Sequence, residues 1–239
     1  MKKIFDIILF VFLLTCIPYS EILAYDLDSA MKIVEAKYAT MNDYTCTMAK
    51  KELVDEEYIS WQKVIYKYKK YDNYYMKWTE GSQEGMEVIY AGKKYDYQMK
   101  VHLGGYLNLL NLSIDPNGST AMKKSRHPIT ESHLGFTIQL MKNSLLNAKN
   151  EKGSKIEFIK AQTLNNRNVK LYKAEFPPNK GFYGHIIYIY LDDLLNLPVK
   201  FDVYDWNDKL LESYTFSDMK INVGLKDIDF DTENKAYNF

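Results

Sequence analysis

Cysteine, histidine and net charge are all scarce in this sequence, and each shortage removes a class of function. Two cysteines occur among 239 residues. Cys16 falls within an N-terminal leader-like segment, which leaves Cys46 alone in a mature chain, with no internal disulfide to form. A catalytic thiol needs a basic or histidine-rich neighbourhood, and Tyr44-Thr45-Cys46-Thr47-Met48 supplies none, so Cys46 is expected as a small buried residue of the first strand. His102, His127, His133 and His185 make no HExxH pair and no Cys/His cluster with zinc-ligand spacing, so no metal or other cofactor is expected. Basic and acidic residues balance at 31 each. A neutral chain gives no reason to expect nucleic acid as a partner. G-x-S-x-G and glycine-rich phosphate loops are absent as well.

The apolar run at the N-terminus is short. Lys2 and Lys3 precede Ile7 to Leu14, too few residues for a comfortable membrane span, and Ile22-Leu23-Ala24 forms an acceptable cleavage site. A signal peptide over 1–24 is expected, with Tyr25 as the mature start and a single domain over 25–239 in the periplasm or another extracytoplasmic space. Leu13-Leu14-Thr15-Cys16 leaves an alternative open, a lipid anchor on Cys16, although Thr15 is larger than the Gly, Ala or Ser usual before such a cysteine.

Tyrosine is what the chain has in abundance, with 21 residues. Its apolar body and polar tip suit strands, cavities and wet interfaces. Residues 26–42 have helical spacing, with Leu27, Met31, Val34, Tyr38 and Met41 on one face and Asp28 to cap the start. From Tyr44 the period becomes two. Val64, Tyr66 and Tyr68 oppose Lys63, Lys67 and Lys69; Tyr74, Met76 and Trp78 oppose Tyr75, Lys77 and Thr79; Met86, Val88 and Tyr90 oppose Glu87 and Ile89. Tyr95, Tyr97, Met99 and Val101 continue the pattern, and Leu107 and Leu109 resemble a strand end. Asp115-Pro116-Asn117-Gly118 is a turn, Pro128 forces His127 into extended backbone, and Thr130 is the natural cap of a helix carrying Leu134, Ile138, Met141 and Leu145. Strands resume over 155–161, 169–176, 185–191, 199–204 and 210–216, with a last one near 226–230. Nine or ten strands and two main helices predict an α+β fold, a strongly curved antiparallel sheet (an unclosed β-barrel) with the helices covering its concave face.

Leu112-Ser113-Ile114-Asp115-Pro116-Asn117-Gly118-Ser119, with Met122-Lys123 and Ser125-Arg126-His127-Pro128-Ile129-Thr130, resembles an uncharacterised family of exported bacterial proteins. Tyr74-Tyr75-Met76-Lys77-Trp78, Glu84 to Tyr90, and Phe230-Asp231-Thr232-Glu233-Asn234 with Tyr237 and Phe239 match the same pattern. That family is distantly similar to the LolA/LppX-like carrier and sorting proteins for lipoproteins of the bacterial envelope. The resemblance implies a LolA-like half-barrel with helices as a lid over an apolar hollow, and it implies no established activity.

Three functional readings follow. In the first, Tyr74, Met76, Trp78, Met86, Val88, Tyr90, Tyr97 and Met99 line a hollow that binds a lipid, a lipoprotein acyl chain or another hydrophobe, without enzymatic chemistry. In the second, the same residues form a filled core, and the protein is structural or binds an envelope protein partner. In the third, Arg126 and His127 serve a hydrolase together with a distant carboxylate. The simpler role of Asp115, Pro116, Gly118, Arg126, His127 and Pro128 is structural: they fix the loop to the helix start. His133 is expected at the surface, His185 half-buried, and the carboxylates Asp192 and Asp193 solvated.

Overall fold

The computed structural model describes residues 26–239 apart from Asn108. The expected signal peptide, the Tyr25 start and the Cys16 anchor lie outside the described residues. Among the described residues, eleven strands form one sheet. A first meander holds β1 (Asp43–Val54), β2 (Glu57–Lys69), β3 (Asn73–Glu80), β4 (Glu87–Ala91), β5 (Met99–His102) and β6 (Asn111–Ile114). A second holds β7 (Lys155–Leu164), β8 (Arg167–Glu175), β9 (Ile186–Asp192), β10 (Pro198–Tyr204) and β11 (Leu210–Ile221). Antiparallel pairing of β1 with β11 joins the two, and β6 and β7 remain as unpaired edges. The sheet is therefore curved but unclosed. The helices α1 (Leu27–Ala39) and α3 (Leu134–Lys149) cover its concave face, and a single turn, α2 (Ser119–Met122), precedes α3. No helix among the described residues is long and apolar enough to cross a membrane.

Period-two alternation puts Val64, Tyr66 and Tyr68 of β2 into the core and leaves Lys63 and Ile65 outside. Leu27, Met31 and Val34 of α1 and Leu134, Ile138, Met141 and Leu145 of α3 close over that face. Cys46 faces the same core, and burial pushes its thiol up, away from the reactive thiolate. Strand register brings Tyr44, Tyr68, Tyr74 and Tyr90 into one row across β1 to β4. Successive ring centroids along the row lie 5.4, 5.1 and 5.8 Å apart, within the range of favourable aromatic pairs.

The hydroxyls of this face hold the approach to α3. Leu134 N donates to Tyr44 OH at 3.0 Å, Tyr74 OH donates to Thr130 O at 3.0 Å, and Tyr66 OH meets Ser132 Oγ at 3.1 Å. The cap of α3 is His133 rather than Thr130, because Ile129–Glu131 forms a 3-10 turn that delays the helix. The His133 Nδ1 accepts from Phe136 N at 3.3 Å and meets Tyr38 OH at 3.2 Å. Its ring stacks on Tyr68 with centroids 4.8 Å apart, so it is not the surface residue expected. Gly135 is required beside it: a Cβ there would lie 2.3 Å from the Tyr38 hydroxyl. In α1 the cap is Asp26, whose carboxylate accepts from Asp28 N and Ser29 N, two residues earlier than the Asp28 expected.

Two strand expectations fail for local reasons. Residues Gly92–Tyr95 form a 3-10 turn, and Asp96 and Tyr97 adopt φ of 52° and 59°, so β5 begins only at Met99. The last strand is replaced by a 3-10 turn, Asp227–Phe230, closed by the Asp229 carboxylate accepting from Lys226 N at 2.9 Å. The tail after it packs on the opposite face of the sheet. Tyr237 stacks on Tyr75 at 4.1 Å, and Asn238 Nδ2 and Lys77 Nζ donate to the buried Glu87 at 2.7 and 2.8 Å. This is why β4 is buried on both sides. Asp192 is not solvated either: Arg167 Nη2 donates to it at 2.8 Å, and the backbone of Leu194 and Leu195 completes the turn.

Capping requires the neutral, accepting imidazole of His133. Burial pushes this group down to about 4, with the Lys70 charge acting in the same direction against Asp72. The unfolded chain takes up the proton first, so His133 withdraws stability as pH falls from about 6.5 to about 4. His133→Ala is expected to cost about 1–2 kcal/mol at pH 7 and to shrink the loss of stability across that pH window. Urea unfolding of both proteins over the window checks this, and identical pH slopes contradict the assigned cap.

Candidate functional site

Two residues along from the tyrosine row, the same sheet face is lined by methionine and valine instead. Met76 of β3, Val88 of β4 and Val101 of β5 are register partners, and Met48 and Trp78 sit beside them. Residues 116–129, rather than a long helix, cover this part of the face. Pro116, Thr120, Ala121, Pro128 and Ile129 form the facing wall, and a cavity of about 310 Å³ remains between the two. Close-packed interiors leave few voids larger than a water molecule. An apolar cavity of about 150 Å³ accepts one benzene, so this one has room for roughly a dozen heavy atoms. Trp78 Nε1 donates to Gln62 Oε1 at 3.0 Å, and Gln62 Nε2 donates to Gln83 Oε1 at 2.9 Å, so the indole is held by its polar edge.

The structure sorts the eight expected wall residues. Met76, Trp78, Met86, Val88 and Met99 line the cavity. Tyr74 and Tyr90 do not; both belong to the tyrosine row, and Tyr74 is engaged by Thr130. Tyr97 stands outside, 60% exposed, because its left-handed backbone takes it off the strand. Met48, Leu103, Leu112 and Ile114 also line the space. The alternation of Leu112 and Ile114 was a visible signal for β6, whereas Met48 joins only through the pairing of β1 with β2. Of the loop residues, Pro116, His127 and Pro128 reach the cavity, while Asp115, Gly118 and Arg126 do not. Asp115 closes its own turn, its side chain accepting from Asn117 N at 2.9 Å.

The carboxylates that meet Arg126 and His127 come from the strands. Glu52 of β1 and Glu212 of β11 are direct cross-strand partners, both buried on the concave side. Like charges in that relation repel, and their compensation comes from the covering loop and from β1 itself. Lys50 Nζ lies 2.9 Å from Glu52, and Tyr214 OH donates to the same carboxylate. Arg126 Nη1 donates to Leu53 O at 2.8 Å and its Nε to Tyr183 OH at 3.1 Å, with Glu212 at 3.6 Å. His127 places Nε2 2.9 Å from Glu212 and Nδ1 3.1 Å from Glu131. Both ring nitrogens face carboxylates, which suits the imidazolium. Lys50, Arg126 and His127 then balance Glu52, Glu131 and Glu212. His127, Ser132 and Tyr214 also form the partition between the large cavity and a smaller one of about 50 Å³ beneath α3.

Burial alone would push His127 down, but hydrogen bonding and charge from Glu212, then Glu131 and Glu52, raise it above its ordinary value. A raised folded-state value means that its contribution is complete below about 6.5 and is lost as pH rises through the folded value. Burial would raise Glu52, but Lys50 and the Tyr214 hydroxyl hold it below the usual carboxylate range. Removing Glu212 leaves Arg126 and His127 short of a buried counter-charge. Glu212→Ala is expected to destabilise by about 3–5 kcal/mol and to lower the pKa of His127, while Glu212→Gln costs less because it keeps the Tyr183 hydrogen bond. Denaturant unfolding with an NMR titration of His127 checks both, and an unshifted His127 contradicts the assignment.

Comparison with curated proteins finds no match for this chain. Among solved structures, it is similar to the Mycobacterium tuberculosis lipoprotein LppX at 8% identity, covering 90% of this chain and 100% of that one, with a TM-score of 0.45. A putative outer membrane lipoprotein-sorting protein domain from Vibrio parahaemolyticus is similar at 15% identity over 86% and 97%, with a TM-score of 0.39. A LolA superfamily protein from Nitrosomonas europaea is similar at 10% identity over 85% and 96%, with a TM-score of 0.34. Residues 41–239 match the profile of the family described as "Protein of unknown function (DUF1571)", and the chain belongs to that family.

Proposed function

We propose that this protein is a non-enzymatic binding protein of the bacterial cell envelope, whose concave hollow takes one acyl chain or a similar slender hydrophobe. The observation that carries this reading is a cavity of about 310 Å³ with an apolar floor of Met76, Trp78, Val88, Met99 and Val101. Methionine adapts to ligands of varied shape, and the volume falls at the lower end of small-molecule sites, roughly 300–1,000 Å³. The space speaks against a filled core on this part of the face. The polar cluster around His127 supports a holding role rather than hydrolysis, because each ring nitrogen is committed to a carboxylate and the Arg126 guanidinium to Leu53 O and Tyr183. The envelope location rests on the leader-like residues of the N-terminus.

Each buried CH₂ contributes about 0.8 kcal/mol, so a chain of a dozen carbons contributes about 9 kcal/mol before the entropy of association is subtracted. Val88→Trp is expected to fill the floor and abolish binding of dodecyl-chain ligands while leaving the melting temperature nearly unchanged. Fluorescence of Trp78 reports binding in the wild type, since Trp61 and Trp206 line neither cavity: Trp61 is exposed and Trp206 donates to Phe176 O at 3.2 Å. Wild type that binds no dodecyl ligand, together with a variant destabilised by the roughly 1–3 kcal/mol of an overpacked core, would overturn the proposal.

A further inference from the structure

The polar part of the hollow carries one sign of charge. Lys50, Lys123, Lys124 and His127 contribute to its lining and no aspartate or glutamate does; Lys50 and His127 are balanced by Glu52, Glu131 and Glu212, which leaves the charges of Lys123 and Lys124 in excess. In a chain with equal numbers of both signs, that is a local segregation. From it we infer that the hollow selects a single-chain amphiphile with an anionic head, a carboxylate or a phosphate, over neutral or cationic amphiphiles of the same chain length. The inference rests on the hollow being a ligand site, as proposed above.

The charges have an orientation. Lys50 lies inside, buried and paired with Glu52. Lys123 and Lys124 are exposed and have no ion-pair partner among the described residues. Thr120 and Leu112, the latter 40% exposed, lie on the same open side. Met76, Val88, Met99 and Val101 are buried and form the floor beneath. An amphiphile thus enters with its chain toward the methionines and its head at the adjacent lysines. Those two like charges have no counter-charge until an anion arrives, and they stand where a head group is only partly desolvated, so the attraction is screened by salt. A volume for roughly a dozen heavy atoms matches one chain rather than the two of a diacyl lipid.

The test compares four probes on the full chain at pH 7.5 and low salt: dodecanoate, dodecyl phosphate, glycerol monododecanoate and dodecyltrimethylammonium, each below its micellar concentration. Trp78 fluorescence and calorimetry follow binding. At least one anion is expected to bind roughly tenfold more tightly than the neutral ester, and the cation more weakly than the ester. Preference for dodecanoate assigns a fatty-acid head, and preference for dodecyl phosphate assigns a phosphorylated lipid head. In Lys123→Gln/Lys124→Gln, with a melting temperature close to wild type, the ratio between anion and ester should fall toward one, as it should for wild type in about 0.5 M sodium chloride. Equal binding of anions and ester by wild type overturns this inference and leaves the hydrophobe-binding reading standing. Binding of no probe removes both.

Discussion

The fold depends on how one irregular segment, residues 116–134, is fastened to the concave face of the sheet. The fastening is made by hydroxyls of tyrosines whose rings are already part of the core. A tyrosine row across β1 to β4 buries its rings as a sheet face must, and its phenolic tips must then find partners. They find them in the backbone of Thr130 and Leu134, and the Tyr66 hydroxyl finds Ser132. The start of α3 is thereby fixed over the sheet, and His133 closes its first turn while stacking on the same row. An abundance of tyrosine thus serves burial and attachment at once.

A second fastening lies one loop earlier, at the seam between the two meanders. The pairing of β1 with β11 sets Glu52 opposite Glu212. Two buried carboxylates side by side are unstable without cations, and Arg126 and His127 arrive from the covering segment to supply them. Held at the tyrosine row and at the glutamate pair, the segment bridges the part of the sheet between and beyond them. There β3, β4 and β5 turn methionine, valine and tryptophan toward the cover, with no hydroxyl among them to draw it down. The hollow follows from that change of residue type, and the segment that roofs it also brings Lys123 and Lys124 to its rim.

Much of this was legible before the fold was known. Alternation in β2, β3 and β4 marks the strands and their inward faces, and period-two spacing alone puts Met76, Trp78, Met86, Val88 and Met99 on the side that lines the cavity. Tyr97 was misplaced because parity assumes extended backbone, and a 3-10 turn followed by two left-handed residues breaks the phase. Tyr74 and Tyr90 have the right parity but the wrong position along the strand, where the roof is pinned down. The distant carboxylate that meets His127 has no signal in the sequence: Glu212 is 85 residues away and reaches it only through the closing strand pair. Thr130 has the better capping chemistry by residue type, yet His133 takes the role because tertiary contacts to Tyr38 and Tyr68 set where the helix starts.

The central claim is that the space beneath residues 116–129 is occupied in life by a hydrophobic chain. Native mass spectrometry of the protein purified from the cells that make it, without detergent, bears on this. A non-covalent adduct with the mass of a single-chain amphiphile is expected, released on denaturation and recoverable in the organic extract. Protein that carries no adduct, and takes up none when incubated with an extract of the same cells, would contradict the claim.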